Sequence, residues 1–476
     1  MTTTITHSTN PTTHATRLLN RRPNTHGRPV SQRSSQVIRQ FGAEAAESTI
    51  VLPQLDVPLG PGRITAFVGP SGSGKTTALG AIEAQYPKAH NVERIGFPND
   101  RPIIDCIAPS GALDEALHCL SLCGLGEPRL WLREYAALSE GERFRARIAR
   151  AVGAIANRQD NAPLLIDAFG DSLHRRAARA LAYNVRRLTT RRRLNVVVAT
   201  CHHDVLADLQ PDNLITLTHR ADQAGIREHA PRWRPFSLWR NLKIEPGRKI
   251  DYARFASMHY RTTAELGFVD KVFVLRQRNS AELLGIVVYA YPPAGLALRN
   301  RATKSRFVNN LELLNQQVRI IKRLVVHPDL RGCGIAHRFV RRTLPLVGTR
   351  YIECLASMGA VNPIFERAGM KRIGICPPER RAARLLKCLK TLDVDPFASD
   401  FETQVCRRPI VREIATMVVA RWYQATSGQG RERAARQPPD VLARICRSLA
   451  ADRPVYYLWE RKNFAKGECH ELAHDL

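Results

Sequence analysis

A glycine-rich segment near residue 70 has the residue types and spacing of a phosphate-binding loop. It reads Gly69-Pro-Ser-Gly-Ser-Gly-Lys75-Thr76 and fits the pattern GxxxxGK[ST]. Glycines let successive backbone N–H groups converge on phosphate oxygens, and a lysine at this spacing reaches the terminal phosphates. We therefore predict that nucleotide phosphates are bound by eight residues of this loop: Gly69, Ser71, Gly72, Ser73, Gly74, Lys75, Thr76 and Thr77.

An acidic residue at the end of a second apolar run could complete a site for Mg²⁺. The run Leu164-Leu165-Ile166 is followed directly by Asp167, and a carboxylate at the end of a buried strand is a suitable ligand for the ion. The Thr76 hydroxyl is the second expected ligand. The pattern thus predicts that ATP binds with Mg²⁺ held by Thr76 and Asp167.

A third segment, Leu138-Ser-Glu-Gly-Glu142, precedes a predicted helix over 143–152. Together with the first two motifs it resembles the LSGGQ-type signature of ABC ATPases. The resemblance implies that Ser139 and Gly141 contact the γ-phosphate of ATP bound by a second subunit. Two copies of the chain are therefore expected to form a head-to-tail homodimer with ATP between them.

The segment Thr200-Cys-His-His-Asp204 resembles the switch-histidine region of the same family. His203 aligns best with the switch histidine, and His202 is the alternative. The resemblance implies that this imidazole contacts the γ-phosphate side of the nucleotide.

Two positions depart from the pattern of the family. Ala168 follows Asp167, where the family carries the glutamate that polarises the attacking water. Asp171 is a possible substitute, but without one we expect ATP hydrolysis to be slow. The glutamine loop of the family has its nearest counterpart in Pro98-Asn99.

A second loop of small residues follows the predicted strand Val318–Val326 and precedes a predicted helix. Small residues allow close backbone approach, so this loop could bind a diphosphate as the first one does. Its Arg-x-x-Gly-x-Ala pattern resembles the pyrophosphate loop of GNAT acyltransferases. The resemblance implies that acetyl-CoA, or another acyl-CoA, is held by six residues: Arg331, Gly332, Cys333, Gly334, Ile335 and Ala336.

The stretch from Asn362 to Met370 resembles the second signature of that family, and it implies that Asn362 also contacts the coenzyme. Many members carry a tyrosine near the position of Phe365, where it can protonate the leaving thiolate. Phe365 has no such proton, so another group must act. The general base is unassigned, and four residues are candidates: Glu312, His259, Tyr260 and Tyr289.

The elements that must position these residues alternate between apolar strands and helices, which predicts an α/β fold. We expect an ABC-type P-loop NTPase domain at 48–228, a linker at 229–240 and a GNAT-like α/β acyltransferase domain at 241–400. Residues 401–476 are predicted to form a helical C-terminal extension. Residues 1–47 contain no acid before Glu44 and are predicted to be a disordered basic tail, with an organellar transit peptide as an alternative.

The net charge of +29 is concentrated in the second half of the chain. Residues 233–476 contain 43 Lys and Arg against 22 Asp and Glu. A polyanionic partner such as DNA or RNA would explain this excess, although an arginine-rich genome would also produce it. The scattered cysteines favour a reducing cytoplasm, and the chain has no apolar run long enough for a membrane span.

Taken together, the motifs resemble soluble ABC ATPases fused to a GNAT domain, and the second domain more loosely resembles Mom-like proteins that modify DNA bases. The resulting hypothesis is an ATPase that gates an acyl-CoA-dependent N-acyltransferase acting on or at nucleic acid. One alternative is an ATP-gated N-acetyltransferase of a protein or a small amine. Another is a non-enzymatic, ATP-dependent nucleic-acid clamp, which the replacements at Ala168 and Phe365 would favour.

Overall fold

The computed structural model describes the residues in these ranges: 14–17, 31–41, 56–155, 161–218, 225–228, 234–259, 266–278, 280–377, 380–427, 430–451 and 454–462. The chain divides into two compact units. Unit 1 comprises Met1–Leu242 together with Val326–Ile335, and unit 2 comprises Lys243–Val325 and Ala336–Leu476. The loop that follows the predicted strand Val318–Val326 therefore belongs to unit 1.

Unit 1 is built on a six-stranded sheet in the order β4-β5-β6-β3-β7-β8. Only the β7–β8 pair is antiparallel, and the other pairs are parallel. A separate pair joins β1 and β2. The strands of this unit are β1 His14–Arg17, β2 Asp56–Leu59, β3 Ile64–Val68, β4 His90–Asn91, β5 Pro163–Ile166, β6 Asn195–Thr200, β7 Asn213–Thr216 and β8 Gly225–Glu228.

The central strands of unit 1 read as continuous apolar runs because both faces of a parallel sheet are covered. All residues of β3, β5 and β6 are buried. The described helices are α1 Gln32–Phe41, α2 Lys75–Gln85, α3 Ile103–Cys106, α4 Leu113–Leu122, α5 Pro128–Trp131, α6 Glu140–Ile155, α7 Arg175–Arg192 and α8 Leu206–Leu209. This arrangement confirms the predicted P-loop α/β character of the first half.

Unit 2 contains a seven-stranded sheet in the order β14-β15-β13-β12-β11-β10-β9. Strands β10 and β11 form an antiparallel pair. The strands are β9 Leu242–Pro246, β10 Val269–Gln277, β11 Leu283–Ala290, β12 Val318–Val326, β13 Tyr351–Ala356, β14 Lys371–Ile375 and β15 Val455–Glu460.

The helices of the second half fall into two groups. Three lie along the chain between or just after the strands of the sheet: α9 Ala297–Ala302, α10 Leu311–Gln317 and α11 Ile335–Thr343. The short α12 Ile364–Arg367 precedes β14. Between β14 and β15 the chain forms α13 Arg380–Thr391, α14 Phe401–Arg407, α15 Pro409–Ser427, α16 Arg431–Ala435 and α17 Pro439–Ala451, which share one apolar core.

The parallel strands β12 and β13 pair over only part of their length. Four residues of β12, Val318–Ile321, pair with Tyr351–Cys354, although β12 continues to Val326. The second half of β12 therefore has no hydrogen-bonded partner on β13. Ligands of α/β proteins bind where neighbouring parallel strands part at their carboxyl ends.

The prediction that residues 401–476 are helical throughout is wrong for β15. This strand, Val455–Glu460, lies inside the sheet and pairs with both β13 and β14. Its Val-Tyr-Tyr-Leu-Trp sequence is rich in the aromatic and β-branched types that favour strands. Helices α14 to α17 are thus an insertion between two strands of the sheet, and the chain returns to the sheet after them.

A triad of buried polar side chains links β15 to its neighbours in unit 2. The Arg299 guanidinium lies 3.1 Å from Glu353 Oε1, and the Tyr456 hydroxyl donates to Glu353 Oε2 at 2.9 Å. All three side chains are fully buried, and burial raises the pKa of Glu353 to about 6. The triad connects α9, β13 and β15, so it fixes the position of the last strand in the sheet.

The prediction of a disordered tail at 1–47 is wrong for the two parts of it that are described. Residues His14–Arg17 form β1, which pairs with β2, and Gln32–Phe41 form α1. The rest of that segment lies outside the described residues, as do residues 229–233 of the predicted linker. Within the described ranges, no helix is both long enough and apolar enough to cross a membrane.

Candidate functional site

The phosphate-binding loop connects β3 to α2, as its sequence predicts. Gly72 and Gly74 have φ angles of +81° and +90°, a conformation that favours glycine. A Cβ on Gly69 would lie 2.2 Å from the Leu217 carbonyl oxygen and 2.8 Å from Ser73 Oγ. The loop is therefore a tight backbone turn at the N-terminus of a helix, where N–H groups and the helix dipole favour an anion.

Two side chains of the loop have groups suited to phosphate. The Lys75 ammonium donates to the carbonyl oxygens of Gly69 and Pro70 at 2.8 and 2.6 Å, so it lies within the loop. Ser73 Oγ is buried, and no described residue forms a hydrogen bond with it. A buried polar atom without a partner is costly unless a ligand supplies one, and a phosphate oxygen could do so. The loop geometry thus fits ATP.

The expected Mg²⁺ ligands are on neighbouring elements. Thr76 lies exposed in the first turn of α2, and Asp167 follows β5. One Asp167 oxygen, Oδ1, accepts a hydrogen bond from the Ala168 N–H at 2.8 Å, and Oδ2 is left for other contacts. A hydroxyl and a carboxylate are hard oxygen ligands, which suit this ion.

The residue after Asp167 is held in an unusual conformation. Ala168 has a φ of +46°, a left-handed angle that costs a non-glycine residue about 1–2 kcal/mol. Backbone strain of this kind is concentrated at functional sites. The absence of a carboxylate at position 168 is thus accompanied by a specific turn that directs the chain toward Asp171.

The structure pairs Asp171 with His202 rather than with His203. His202 Nε2 lies 3.1 Å from Asp171 Oδ1, and Cys201 Sγ lies 3.7 Å from the same oxygen. His203 is exposed at the start of a 3₁₀ turn. β6 ends at Thr200, and the Thr200 hydroxyl accepts the His202 N–H at 3.0 Å, so His202, the alternative to His203, is the imidazole beside Asp171.

Sheet order explains why these groups lie at one edge. Strand β6, which leads to His202, lies between β5, which leads to Asp167, and β3, which leads to the phosphate loop. All three strands are parallel, so their carboxyl ends meet at the same side of the sheet. The tertiary structure thus brings together segments that are far apart in sequence.

The signature segment forms the N-terminus of α6. The Ser139 N–H donates to the Glu142 carboxylate at 2.9 Å, and the Glu142 N–H donates to the Ser139 hydroxyl at 3.4 Å, which is a reciprocal capping box. A Cβ on Gly141 would lie 2.8 Å from Leu173 and 3.0 Å from the Ser172 carbonyl. Glycine is therefore needed where this segment approaches the turn that follows Asp171.

One feature near the signature was not predicted from the sequence. The rings of Phe97 and Tyr135 stack with centroids 4.4 Å apart, and Arg150 and Arg143 lie over them at 4.9 and 5.8 Å. The adjacent glutamine-loop candidate, Asn99, is exposed. Isolated aromatic residues gave no signal in the sequence, because the stack joins positions 38 residues apart.

The second glycine loop packs within unit 1. Arg331 donates to the Val326 carbonyl and forms an ion pair with Glu127, both at 3.1 Å. The Gly332 carbonyl accepts from Arg187 at 3.0 Å. Cys333 is buried, its Sγ donates to the Ala180 carbonyl at 3.6 Å, and burial raises the pKa of its thiol.

These contacts change what is expected of individual loop residues. The Arg331 guanidinium, the Gly332 carbonyl and the Cys333 side chain already have protein partners on α7 or near α5. Gly334 has a φ of +78°. The last two residues of the predicted coenzyme site, Ile335 and Ala336, are the first two residues of α11. Any diphosphate contact must therefore come from backbone N–H groups around Gly334 rather than from Arg331 or Cys333.

The second signature lies in unit 2. Asn362 is half-buried just before α12, and its backbone N–H donates to the Met358 carbonyl at 2.8 Å. Phe365 is buried against the ring of Tyr457, with centroids 5.5 Å apart. The Tyr457 hydroxyl donates to the Gly359 carbonyl at 3.1 Å, and burial raises the pKa of that phenol to about 12. The sequence could not associate these residues because Tyr457 lies on the late strand β15.

The four candidates for a general base differ in their surroundings. Tyr289 is fully buried, its hydroxyl lies 2.8 Å from the Thr343 hydroxyl, and burial raises its pKa, so it is unsuited to this role. Glu312 is exposed at the start of α10 and accepts from Gln316 at 3.2 Å. His259 is half-buried, and Tyr260 lies outside the described residues.

Comparison with known proteins finds similarity to ATP-binding cassettes. Over 67 residues, or 14% of this chain, the sequence is 43% identical to the hemin import ATP-binding protein HmuV of Streptomyces coelicolor. The match spans 23% of that protein's length, less than a quarter. No protein-family model matches the chain.

Solved structures give similarities of the same kind. A dimeric bacterial ABC transporter cassette overlaps 37% of this chain and 89% of its own, with a TM-score of 0.30 and 19% identity. A bacterial Atm1-family ABC exporter with ATP bound overlaps 36% of this chain and 35% of its own, with a TM-score of 0.29 and 18% identity.

Proposed function

We propose that this chain is an ABC-type ATPase that works as a head-to-tail homodimer and gates an acyl-CoA-dependent N-acyltransferase acting on nucleic acid. One observation carries the ATPase part of the proposal. The phosphate loop, Asp167 and the Asp171–His202 pair lie at the same edge of one parallel sheet. Their residue types match the three tasks of phosphate binding, metal binding and orientation of water.

In this proposal the loop holds the ATP phosphates, and Thr76 and Asp167 hold the metal. When bound, Mg²⁺ would neutralise charge on the phosphate oxygens. Ser139 and the N–H groups at the start of α6 would contact the γ-phosphate of the nucleotide held by the other subunit. The capping box between Ser139 and Glu142 keeps that helix N-terminus ordered for such a contact.

The Asp171–His202 pair takes the role of the glutamate that Ala168 replaces. A carboxylate 3.1 Å from an imidazole nitrogen orients the ring, so that its other nitrogen can accept a proton from water. The Thr200 hydroxyl fixes the backbone of His202. Hydrolysis then proceeds without a glutamate adjacent to Asp167.

The acyltransferase part of the proposal is supported by the parting of β12 from β13 and by the two signatures that follow those strands. An acceptor amine would attack the thioester carbonyl, the C–S bond would break, and the thiolate would receive a proton. The donor of this proton is unassigned, because Phe365 has no acidic proton and the buried Tyr457 hydroxyl beside it already donates to the Gly359 carbonyl. The base that takes the proton of the amine remains one of His259, Tyr260 and Glu312.

The test uses the full-length chain with labelled acetyl-CoA, ATP and three acceptors: nucleic acid, a protein mixture and a polyamine. Label transferred to nucleic acid supports the proposal. Label found only on protein or polyamine favours the alternative N-acetyltransferase. Calorimetry that detects no coenzyme A binding, together with ATP-dependent binding of nucleic acid, favours the clamp.

A substitution locates the acyl site. Gly334→Glu should abolish coenzyme A binding, because it adds bulk and negative charge beside the N-terminus of α11. Gly295→Glu is the matched control, since a Cβ there meets no atom within 4 Å. If both variants bind coenzyme A equally well, the loop is not the diphosphate site.

A further inference from the structure

A basic cleft in unit 2, outside both candidate sites, is lined by strands β14 and β15 and by neighbouring segments. Its volume is about 880 Å³. Five cationic side chains line it: Arg301, Lys371, Arg372, Arg461 and Lys462. They come from three parts of the chain, namely α9, β14 and the two residues just after β15. We refer to this cleft as the β14–β15 cleft.

The acidic residue that lines the same cleft does not neutralise it. Glu460 forms an ion pair with Arg350 at 2.9 Å, and the hydrogen bond from Arg350 holds the pKa of that carboxyl below its usual value. Its charge is therefore balanced by a sixth cation that is not part of the lining. The five cations leave the cleft with a net positive potential.

The cations have little else to bind. Among the described residues, Lys371 and Lys462 form no ion pair, and Arg372 lies 3.8 Å from Glu366, a long contact. Arg461 donates to the Pro345 carbonyl, but its buried Nε has no hydrogen-bond acceptor in the part of the chain that the structure describes. Arg301 donates to the Ile373 carbonyl at 3.3 Å. Contacts with carbonyl oxygens leave the charges of both arginines unneutralised.

An aromatic ring lies among these charges. Trp459 lines the cleft and is half-buried. Cations on an edge strand such as β14 also discourage unwanted strand pairing. That function does not explain why Arg301 and Arg461 converge on the same concave surface beside an indole ring.

We infer that the β14–β15 cleft binds a single strand of nucleic acid, with the cations on the phosphates and a base stacked on Trp459. Aromatic rings within positively charged grooves bind single strands in this way. The cleft is concave and contains an aromatic face, which favours an unpaired strand over a flat anionic membrane. The inference rests on the nucleic-acid part of the proposed function and names the surface that would hold the acceptor strand.

The experiment measures binding of fluorescent 15-nucleotide oligothymidylate and oligouridylate to the full-length protein without acyl-CoA. Lys371→Glu with Arg372→Glu should weaken binding by at least about 30-fold, and the salt slope should fall by about 1.4, or roughly 0.7 per lost phosphate contact. Lys387→Glu with Arg421→Glu is the control, because both residues are exposed cations of unit 2 outside the cleft. Equal losses in the two double variants would overturn the inference.

Two further variants separate stacking from charge and from misfolding. Trp459→Ala should weaken binding by about 5- to 150-fold, whereas Trp459→Phe should retain most of it. Lys371→Gln with Lys462→Gln changes only exposed side chains and should still reduce the salt slope. If Trp459→Ala and this neutral pair both bind as the wild type does, the cleft is not the site.

The outcomes distinguish the inference from the proposed function. A protein that binds oligonucleotides through the cleft but transfers no acyl group would contradict the proposed function alone. A protein that acylates nucleic acid while the Lys371 and Arg372 variant binds normally would contradict the inference alone. Binding to phosphatidylserine vesicles without binding to oligonucleotides would assign the cleft to membranes and overturn the inference.

Discussion

The two glycine loops of this protein begin from the same local pattern and lie in different surroundings. Each follows a strand, contains glycines with positive φ, and precedes a helix. In the loop at 69–76, the buried Ser73 Oγ has no hydrogen-bond partner among the residues that the structure describes, and Lys75 donates to two carbonyls of the loop. The loop at 326–335 has its arginine, a carbonyl and its cysteine bound by other residues of unit 1.

The difference teaches that a short motif determines backbone shape, whereas its surroundings determine which groups stay available to a ligand. The first loop faces Asp167 and His202 across one sheet edge. The second is fixed by Arg187 and Glu127. The contacts of the second loop with α7 also mean that a change in it can affect the stability of the ATP-binding unit.

The largest expected effect tests the first loop. Lys75→Ala should weaken ATP binding by at least about 100-fold, because it removes the ammonium group expected to bind the phosphate oxygens. Each lost hydrogen bond to a charged group costs about 1.5–3 kcal/mol of binding free energy. Calorimetric titration with ATP measures this loss. Lys88→Ala, an exposed lysine of the same unit, should bind ATP normally. Undiminished affinity in the Lys75 variant would remove the loop from the site.

A second prediction tests whether the second loop is held by unit 1. Gly332→Ala should destabilise the protein by about 2–4 kcal/mol, because its φ is +83° and a Cβ would lie 2.6 Å from Asn184 Nδ2 and 2.8 Å from the Ser121 carbonyl. Gly62→Ala shares the positive φ but meets its nearest atom at 4.0 Å. It should cost only about 1–2 kcal/mol. If denaturant unfolding gives equal losses of unfolding free energy for the two variants, the atoms around Gly332 can move aside for a Cβ.

A third prediction concerns the group that orients water. Asp171→Asn should lower ATP turnover by about 10-fold without changing ATP affinity, since it removes the charge that orients His202. His203→Ala should leave turnover nearly unchanged. Steady-state ATPase assays compare the two variants, and the reverse result would support the His203 assignment.

A substitution at Ala168 provides a second test of whether the Asp171–His202 pair orients water. If Asp171 and His202 already orient water, Ala168→Glu should change turnover little. If they do not, Ala168→Glu should raise turnover by about 10-fold or more, and an ATP-bridged dimer of the wild type should persist in size-exclusion chromatography. A brisk wild-type rate would support the pair.

The smallest effect concerns the strained turn itself. Ala168→Gly should stabilise the protein by about 0.5–1 kcal/mol, because glycine tolerates the φ of +46°. Ala84→Gly, on the exposed face of α2, should instead destabilise it by about 1 kcal/mol. Denaturant unfolding shows whether each variant has a higher or lower free energy of unfolding than the wild type. A destabilised Ala168→Gly protein would mean that the turn is not strained.

The sequence by itself predicted the elements whose signal is local. The apolar run that forms most of β5 was visible in the sequence, because a strand buried on both faces contains few polar residues. The bounds of β12 were also predicted. The first glycine loop was equally clear, since its spacing reflects the positions of phosphate oxygens. Strand β15 was missed because it follows some 70 residues of mainly helical sequence, although its aromatic residues were a signal that could have been read.

Only the tertiary structure decided which distant residues meet. It placed His202 rather than His203 beside Asp171, because β6 ends at Thr200 and the Thr200 hydroxyl accepts the His202 N–H. It paired Phe365 with Tyr457, and it bound Arg331 to Glu127 across 204 positions of sequence. Such contacts depend on the order and register of strands, which arise from the packing of the whole unit and leave no trace in the spacing of neighbouring residues.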